Sequence, residues 1–123
     1  MKLYSFDPKV HQETDQFGSM KAIIAKVLAL EPEAGVNVVY IRPTERIGFY
    51  EEVTPQLFLL AEGQGWIRNE FDEIFPIQEG QAVFWEQNEW HESGSETGMT
   101  AVIIEGISFD PAELMPLLQK EEE

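Results

Sequence analysis

Short apolar runs separated by turn-forming residues dominate the chain from residue 36 onward. They occupy 36–42, 56–61, 65–68, 73–77, 82–85 and 100–107, each of strand length and rich in Val, Ile, Leu and Phe. No helix-period segment comes between them. A parallel βαβ arrangement is therefore not supported, and the pattern predicts an all-β sandwich or barrel of short strands. Asn69-Glu70-Phe71-Asp72 and Gln78-Glu79-Gly80-Gln81 have the polar, turn-favouring composition of hairpin tips. Strand side chains alternate between faces, so if Gln56 points inward, Phe58 and Leu60 do too, while Leu57, Leu59 and Ala61 face outward. Such an apolar outer face needs a cover, either the N-terminal arm or a second subunit, and a homodimer is the expectation.

The flanks differ from this middle. Residues 1–19 are polar and mixed, ending in Phe17-Gly18-Ser19, and read as an arm outside the core. The run 20–30 allows helix or strand, and we take it as a strand because of its length and the turn residues on either side. Asp110-Pro111-Ala112-Glu113 places a capping residue, a proline at the first helical position and a carboxylate three residues after the cap. That combination predicts a C-terminal helix over 110–123 with Leu114, Leu117 and Leu118 on one face. The three terminal glutamates oppose the helix dipole and would fray its last turn. The division is thus an arm (1–19), a β domain (20–109) and a helix with an acidic tail (110–123).

Length and composition narrow the classes. The 123 residues suit one domain, and 43% hydrophobic content supplies a core without covalent staples. Cysteine is absent, which excludes disulfide frameworks, zinc ribbons, iron–sulfur sites and thiol nucleophiles. A formal net charge of −15 repels a polyphosphate backbone, so nucleic acid is not an expected partner. No apolar stretch reaches the ~20 residues of a membrane helix, and the start lacks the apolar centre of a secretion signal. No membrane partner is expected, and the chain reads as soluble and cytoplasmic.

The order and spacing of several residues between Gly35 and Gly106 resemble the cupins, a family of small jelly-roll β-barrels. The first cupin motif has a glycine, then HxH, three or four residues, a Glu, six residues and a Gly. Here Tyr50 and Glu52 stand at the spacing of the two histidines, and Gln56 stands where the Glu falls, with six residues between it and Gly63. The second motif starts at Gly80. Glu86 and Asn88 replace its PxG pair, His91 occupies the histidine position and Ser95 replaces the Asn. The stretches 55–66 and 82–98 are similar to those of small bacterial cupins. The resemblance implies a cupin jelly-roll barrel (double-stranded β-helix), but not a reaction, because one fold hosts many chemistries.

The family's metal site uses three imidazoles and a carboxylate. Of that set only His91 is present here, with Tyr50, Glu52 and Gln56 as oxygen donors, a poor match to a transition metal. No cofactor is expected; a divalent transition metal, if one binds, would use His91, Gln56, Glu52 and Tyr50. The expected function is a barrel that takes a small organic ligand, with Tyr50, Glu52, Gln56 and His91 as its polar groups and Phe58, Trp66, Phe84 and Trp90 as apolar wall. Two alternatives stand beside it. One is a metal-dependent oxygenase or isomerase using His91 with non-standard ligands. The other is a dimerisation or sensing module whose barrel is filled by its own side chains.

Other chemistries are weaker. Arg42 and Arg46 could contact an acidic ligand, although arginines of this kind are more often surface ion pairs. Ser93 and Ser95 lie near His91 without a nucleophile elbow. Gly63-Gln64-Gly65 lacks the third glycine and the helix of a phosphate-binding loop.

Overall fold

The computed structural model describes residues 1–10, 13–14, 22–30, 34–51, 54–106 and 115–118. Among the described residues a 3-10 turn at Pro8–Val10 precedes nine strands: β1 (Glu13–Thr14), β2 (Ala22–Leu30), β3 (Ala34–Ile41), β4 (Arg46–Glu51), β5 (Gln56–Arg68), β6 (Ile74–Gln78), β7 (Ala82–Trp85), β8 (Trp90–Gly94) and β9 (Met99–Glu105). Every pairing is antiparallel, in the order β1-β2-β3-β9-β5-β8-β4, with β6 and β7 also on β5. The sheet curls into a half-barrel. Among the described residues no helix is long and apolar enough to cross a membrane.

The strand expected over 20–30 is β2. The two runs 56–61 and 65–68 form one strand instead of two, and β5 is the longest strand of the fold at 13 residues. Its first part pairs with β9 and β7, its second with β6 and β8. A register shift between Leu60 and Glu62 marks the place where it bends from one half of the sheet to the other. The polar residues Glu62 and Gln64 at that bend are what split the hydropathy pattern.

Two glycines allow the strands to close up there. At Gly63, φ is +91° and an added Cβ would lie 2.3 Å from the carbonyl oxygen of Gly98. At Gly65 it would lie 2.3 Å from that of Gly94 and 2.6 Å from Sδ of Met99. Both positions exclude any larger side chain.

Alternation along β5 follows the predicted sense. Gln56, Phe58 and Leu60 are all buried, and the latter two join Val39, Ile41, Ile67, Met99, Ala101 and Ile103 in the apolar core of the inner face. Leu57 is also buried, Leu59 is half-buried and Ala61 is exposed. On the outer face the Tyr40 hydroxyl donates to the carbonyl of Phe6, tying the N-terminal residues to β3. Burial first, and then the nearby Asp7, raises the Tyr40 pKa.

Both hairpin tips lie where the sequence predicts them. Asn69 organises the first: its Oδ1 accepts from the backbone N–H groups of Phe71 (3.0 Å) and Glu73 (2.9 Å), and its Nδ2 donates to the Glu73 carboxylate. Gly80, with φ +86°, forms the second.

The C-terminal helix requires correction. Within 110–123 the described residues are 115–118, a bend followed by irregular backbone, so a helix is not supported. Pro116 supplies the reason. In a helix it would have no N–H to give and its ring would clash with the carbonyl four residues earlier, and it biases Met115 away from helical dihedrals. Leu117 and Leu118 are exposed instead of sharing a packed face.

β4 and β8 have no counterpart in the apolar pattern. β8 carries Glu92, almost fully buried, between Arg46 of β4 and Arg68 of β5. Nε of Arg68 donates to Glu92 at 2.9 Å, its Nη1 donates to Asp72 at 2.7 Å, and Arg46 donates to the other Glu92 oxygen. The strand is held by charge where a hydropathy scan expects loop.

Candidate functional site

Strand register builds a polar row at one end of the inner face. Gln56, the first residue of β5, stands opposite Glu105 of β9 on one side and Trp85 of β7 on the other. Glu105 in turn stands opposite Gly35 of β3. Directly opposed residues in an antiparallel pair share a face, so Glu105, Gln56 and Trp85 lie side by side. The next row inward, Asn37, Ile103, Phe58 and Val83, is apolar except for Asn37, whose Nδ2 donates to Glu105 at 3.0 Å.

β8 brings His91 to this row from the other half of the sheet. His91 is 2% exposed, and its ring stacks on Trp85 with centroids 4.5 Å apart and planes within 10°. The contact puts the one described imidazole next to the residue opposite Gln56. Gln56 is itself 3% exposed, and its Oε1 accepts no hydrogen bond among the described residues. Leaving a buried carbonyl oxygen without a donor costs free energy, and most buried polar atoms avoid it.

The predicted site residues divide. Gln56, Phe58 and His91 converge on the inner face. The Tyr50 backbone pairs with His91 across β4 and β8; its side chain, and all of Glu52, lie outside the described residues.

Three aromatics of the predicted wall lie elsewhere. Phe84 stands opposite Leu57, on the outer face. Trp66 alternates with the core residue Ile67, and its ring covers Gly94, where an added Cβ would lie 2.5 Å from Trp66 Cζ2. Trp90 precedes inward-facing His91 and is 42% exposed. Period-two alternation beside His91 and Gln56 was the signal that separates Trp90 and Phe84 from the interior.

Two residues of the row, Trp85 and Glu105, and the adjoining Asn37 were absent from the predicted set. Trp85 carried a signal, being next to Phe84 and thus on the opposite face. Asn37 and Glu105 carried none, because only the β3–β9–β5 register brings residues so distant in sequence together.

The remaining candidates have structural roles. Ser95 Oγ donates to the carbonyl of Gln64 at 2.6 Å and accepts from the Gly98 N–H at 2.8 Å, which ties the turn before β9 to β5. Arg42 pairs with Glu45 at 3.0 Å, and Arg46 with Glu92, so each has a carboxylate of this chain beside it.

The interior from Phe58 to Met99 is filled by the apolar core. Two surface clefts, of about 680 and 520 Å³, open near the far end of the first part of β5. Gly63 and Glu79 line both; Tyr40, Arg42 and Lys9 line the larger. Gly63 is on the order of 20 Å along the strand from Gln56, at ~3.3 Å per residue.

Whether these residues suit the metal of the resembled family follows from the donors. Among the described residues no group of three or more His, Cys, Asp and Glu side chains is placed to hold a metal ion. Gln56 offers a neutral amide where that family has a carboxylate, and the His91 ring lies flat against Trp85. These residues do not fit a site of three imidazoles and a carboxylate.

Known structures share this architecture. A protein of Thermotoga maritima named a predicted oxalate decarboxylase superposes with a TM-score of 0.69 at 15% identity, over 83% of this chain and 97% of that one. The cupin domain of Cnp3 from Schizosaccharomyces pombe gives 0.67 at 10% identity, over 91% and 78%. A cupin 2 conserved barrel domain protein from Rhodopseudomonas palustris gives 0.66 at 11%, over 81% and 70%. No family model matches the sequence, and no curated protein matches it. The likeness is therefore one of fold, and on that ground the chain is a small cupin-fold domain.

Proposed function

We infer that this domain binds a small organic molecule at the end of its half-barrel marked by Gln56, Trp85 and His91, and that it does so without a resident metal ion. The observation that carries the reading is the buried Oε1 of Gln56, which has no donor among the described residues and lies in line with Glu105 and Trp85. A ligand donor would satisfy that atom, the polar row would orient the ligand, and the indole of Trp85 supplies apolar surface beside it. A few polar groups against an apolar wall is the usual make-up of a small-molecule site.

The test combines elemental analysis of dialysed, untagged protein with an NMR fragment screen. Substoichiometric transition metal, with fragment-induced shifts clustered at Gln56, Trp85 and His91, is the expected result. A stoichiometric transition metal that is lost in His91→Ala would overturn the reading in favour of a metal-dependent activity.

One observation favours a second reading, a dimerisation or sensing module. The inner face beyond Phe58 is packed, which leaves little room deeper in the barrel. Under that reading fragments shift no resonance of the polar row.

A further inference from the structure

We propose that the N-terminal arm of one copy docks on the outer sheet face of a second copy, with Leu3, Tyr4 and Phe6 as the side chains that enter the contact. This interface does not depend on ligand binding at Gln56.

The first ten residues are held in place without being packed. The Ser5 hydroxyl accepts from the Asp7 N–H at 3.1 Å, and the Asp7 carboxylate accepts from the Lys9 N–H at 2.8 Å where the Pro8–Val10 turn begins. The Tyr40 hydroxyl anchors the Phe6 carbonyl to β3. Local side-chain-to-backbone bonds of this kind fix the course of a segment. Its apolar side chains nevertheless stand in water: Leu3 is 96% exposed, Tyr4 82% and Phe6 58%. Single apolar residues scattered on a surface need no partner, but three of them on one anchored stretch form a patch.

The anchor lies on the face that lacks a full cover. Tyr40 alternates with the core residues Val39 and Ile41, which puts it on the outer face. The next row along that face carries Val38, Val102 and Leu59, and the one beyond it Ile104, Leu57 and Phe84. Val38 and Leu57 are buried there, whereas Leu59, Phe84, Val102 and Ile104 keep part of their surface in water. The arm thus leaves from the rim of an incompletely covered apolar face without lying on it.

A second copy suits this arrangement in symmetry, charge and area. A two-fold axis sets the two faces opposite each other and carries each arm from the rim of its own face onto the partner's, so one pairing covers both. Lys2 and Lys9 stand in the arm against Asp7 alone, in a chain with 23 acidic and 8 basic residues, so a cationic segment meets an acidic body. Leu3, Tyr4 and Phe6 would remove on the order of 400 Å² per arm from water. With the surface each arm covers, the contact over both copies comes to roughly 1,600 Å², the size of a standard specific interface.

Sedimentation equilibrium of the full-length protein and of a Leu3→Ser/Phe6→Ser variant measures the contact. The parent is expected at twice the 14.1 kDa chain mass. The variant should dimerise at least about a hundredfold more weakly, because two apolar side chains per arm no longer leave water. Folding is not at stake, since both side chains are exposed and the Phe6 carbonyl remains for Tyr40. Benzoylphenylalanine introduced at Tyr4, irradiated in a mixture of ¹⁵N-labelled and unlabelled chains, locates the arm. Mixed-isotope crosslinks to peptides holding Leu59, Phe84, Val102 or Ile104 are expected. A monomeric parent, or crosslinks confined to single chains, would overturn the proposal. A variant that dimerises as tightly as the parent would keep the dimer and reject the arm as its contact.

Discussion

Glu92 is the residue whose removal of partners has the most calculable consequence. Its side chain is 4% exposed, whereas those of Arg46 and Arg68 are 45% and 27% exposed. The burden of desolvation thus lies on the carboxylate and not on the guanidinium groups. A hydrogen bond to a charged group is worth roughly 1.5–3 kcal/mol, with the low end suiting the more exposed Arg46. Arg46→Ala is therefore expected to cost about 1 kcal/mol, and Arg68→Ala about 2, because in each variant the other arginine still neutralises Glu92. The double variant leaves a buried carboxylate bare. Removing all partners of a buried charge costs about 3–5 kcal/mol, while the packing of each side chain is lost in its single variant as well and cancels, so the pair should exceed the ~3 kcal/mol sum of the singles by about 1 kcal/mol and by as much as ~2.

Urea unfolding of the four proteins gives this coupling directly, provided the m-values agree. Replacing Glu92 by Leu in the double-alanine background should return part of the loss, since an apolar group needs no partner there. Additivity within ~0.5 kcal/mol would refute the reasoning, because it would mean that water reaches Glu92 once an arginine leaves. The stakes extend to the site. Glu92 points outward from the strand whose neighbouring residue, His91, points inward, and the two arginines fix that strand between β4 and β5. In the double variant the Trp85–His91 stack should loosen, visible as exchange broadening of the Trp85 indole.

Two further outcomes test the fold and its assembly. Gly65→Ala puts a Cβ against the Gly94 carbonyl, which cannot yield as a flexible side chain would, so a loss of ~1–3 kcal/mol is expected in the same unfolding assay. Gly80→Ala has open space and only its positive φ to contend with, so it should lose ~1–2 kcal/mol; a Gly65→Ala loss below that of Gly80→Ala would rule out the close approach. On the outer face of the β3–β9–β5–β7 half Val38 and Leu57 are already buried within the single chain, and Val102, Ile104, Leu59 and Phe84 are half-buried. If a second copy covers that half-buried remainder, sedimentation should give twice the 14.1 kDa chain mass, and Leu59→Lys the monomer; a monomeric parent protein would end that expectation.

What could be read from the residues, and what could not, depends on how far apart the deciding contacts lie. Gln56 and His91 could be assigned to the inner face because motif spacing encodes register: a fixed number of residues along a strand fixes the face, whatever side chains stand there. The same arithmetic, applied one residue either side, separates Trp90 from His91 and Phe84 from Trp85, since adjacent strand residues cannot share a face. β4 and β8 escaped because they are joined by the pairing of Arg46 and Arg68 with the buried Glu92, which no hydropathy scale registers. The C-terminal helix was expected from the Asp110 cap alone, with Pro116 left out of account, and a proline at that position has no N–H with which to carry a helix past its first turns.

Glu105 shows where local reading ends. It is the last residue of an apolar strand, and every local cue assigns such a carboxylate to solvent. Its place beside Gln56 arises only when β9 lies between β3 and β5, so that Asn37 comes within hydrogen-bonding reach from one side and the Gln56 amide stands opposite on the other. The make-up of the row is thus set by a non-local strand contact, while the places of Gln56 and His91 on the inner face follow from local spacing.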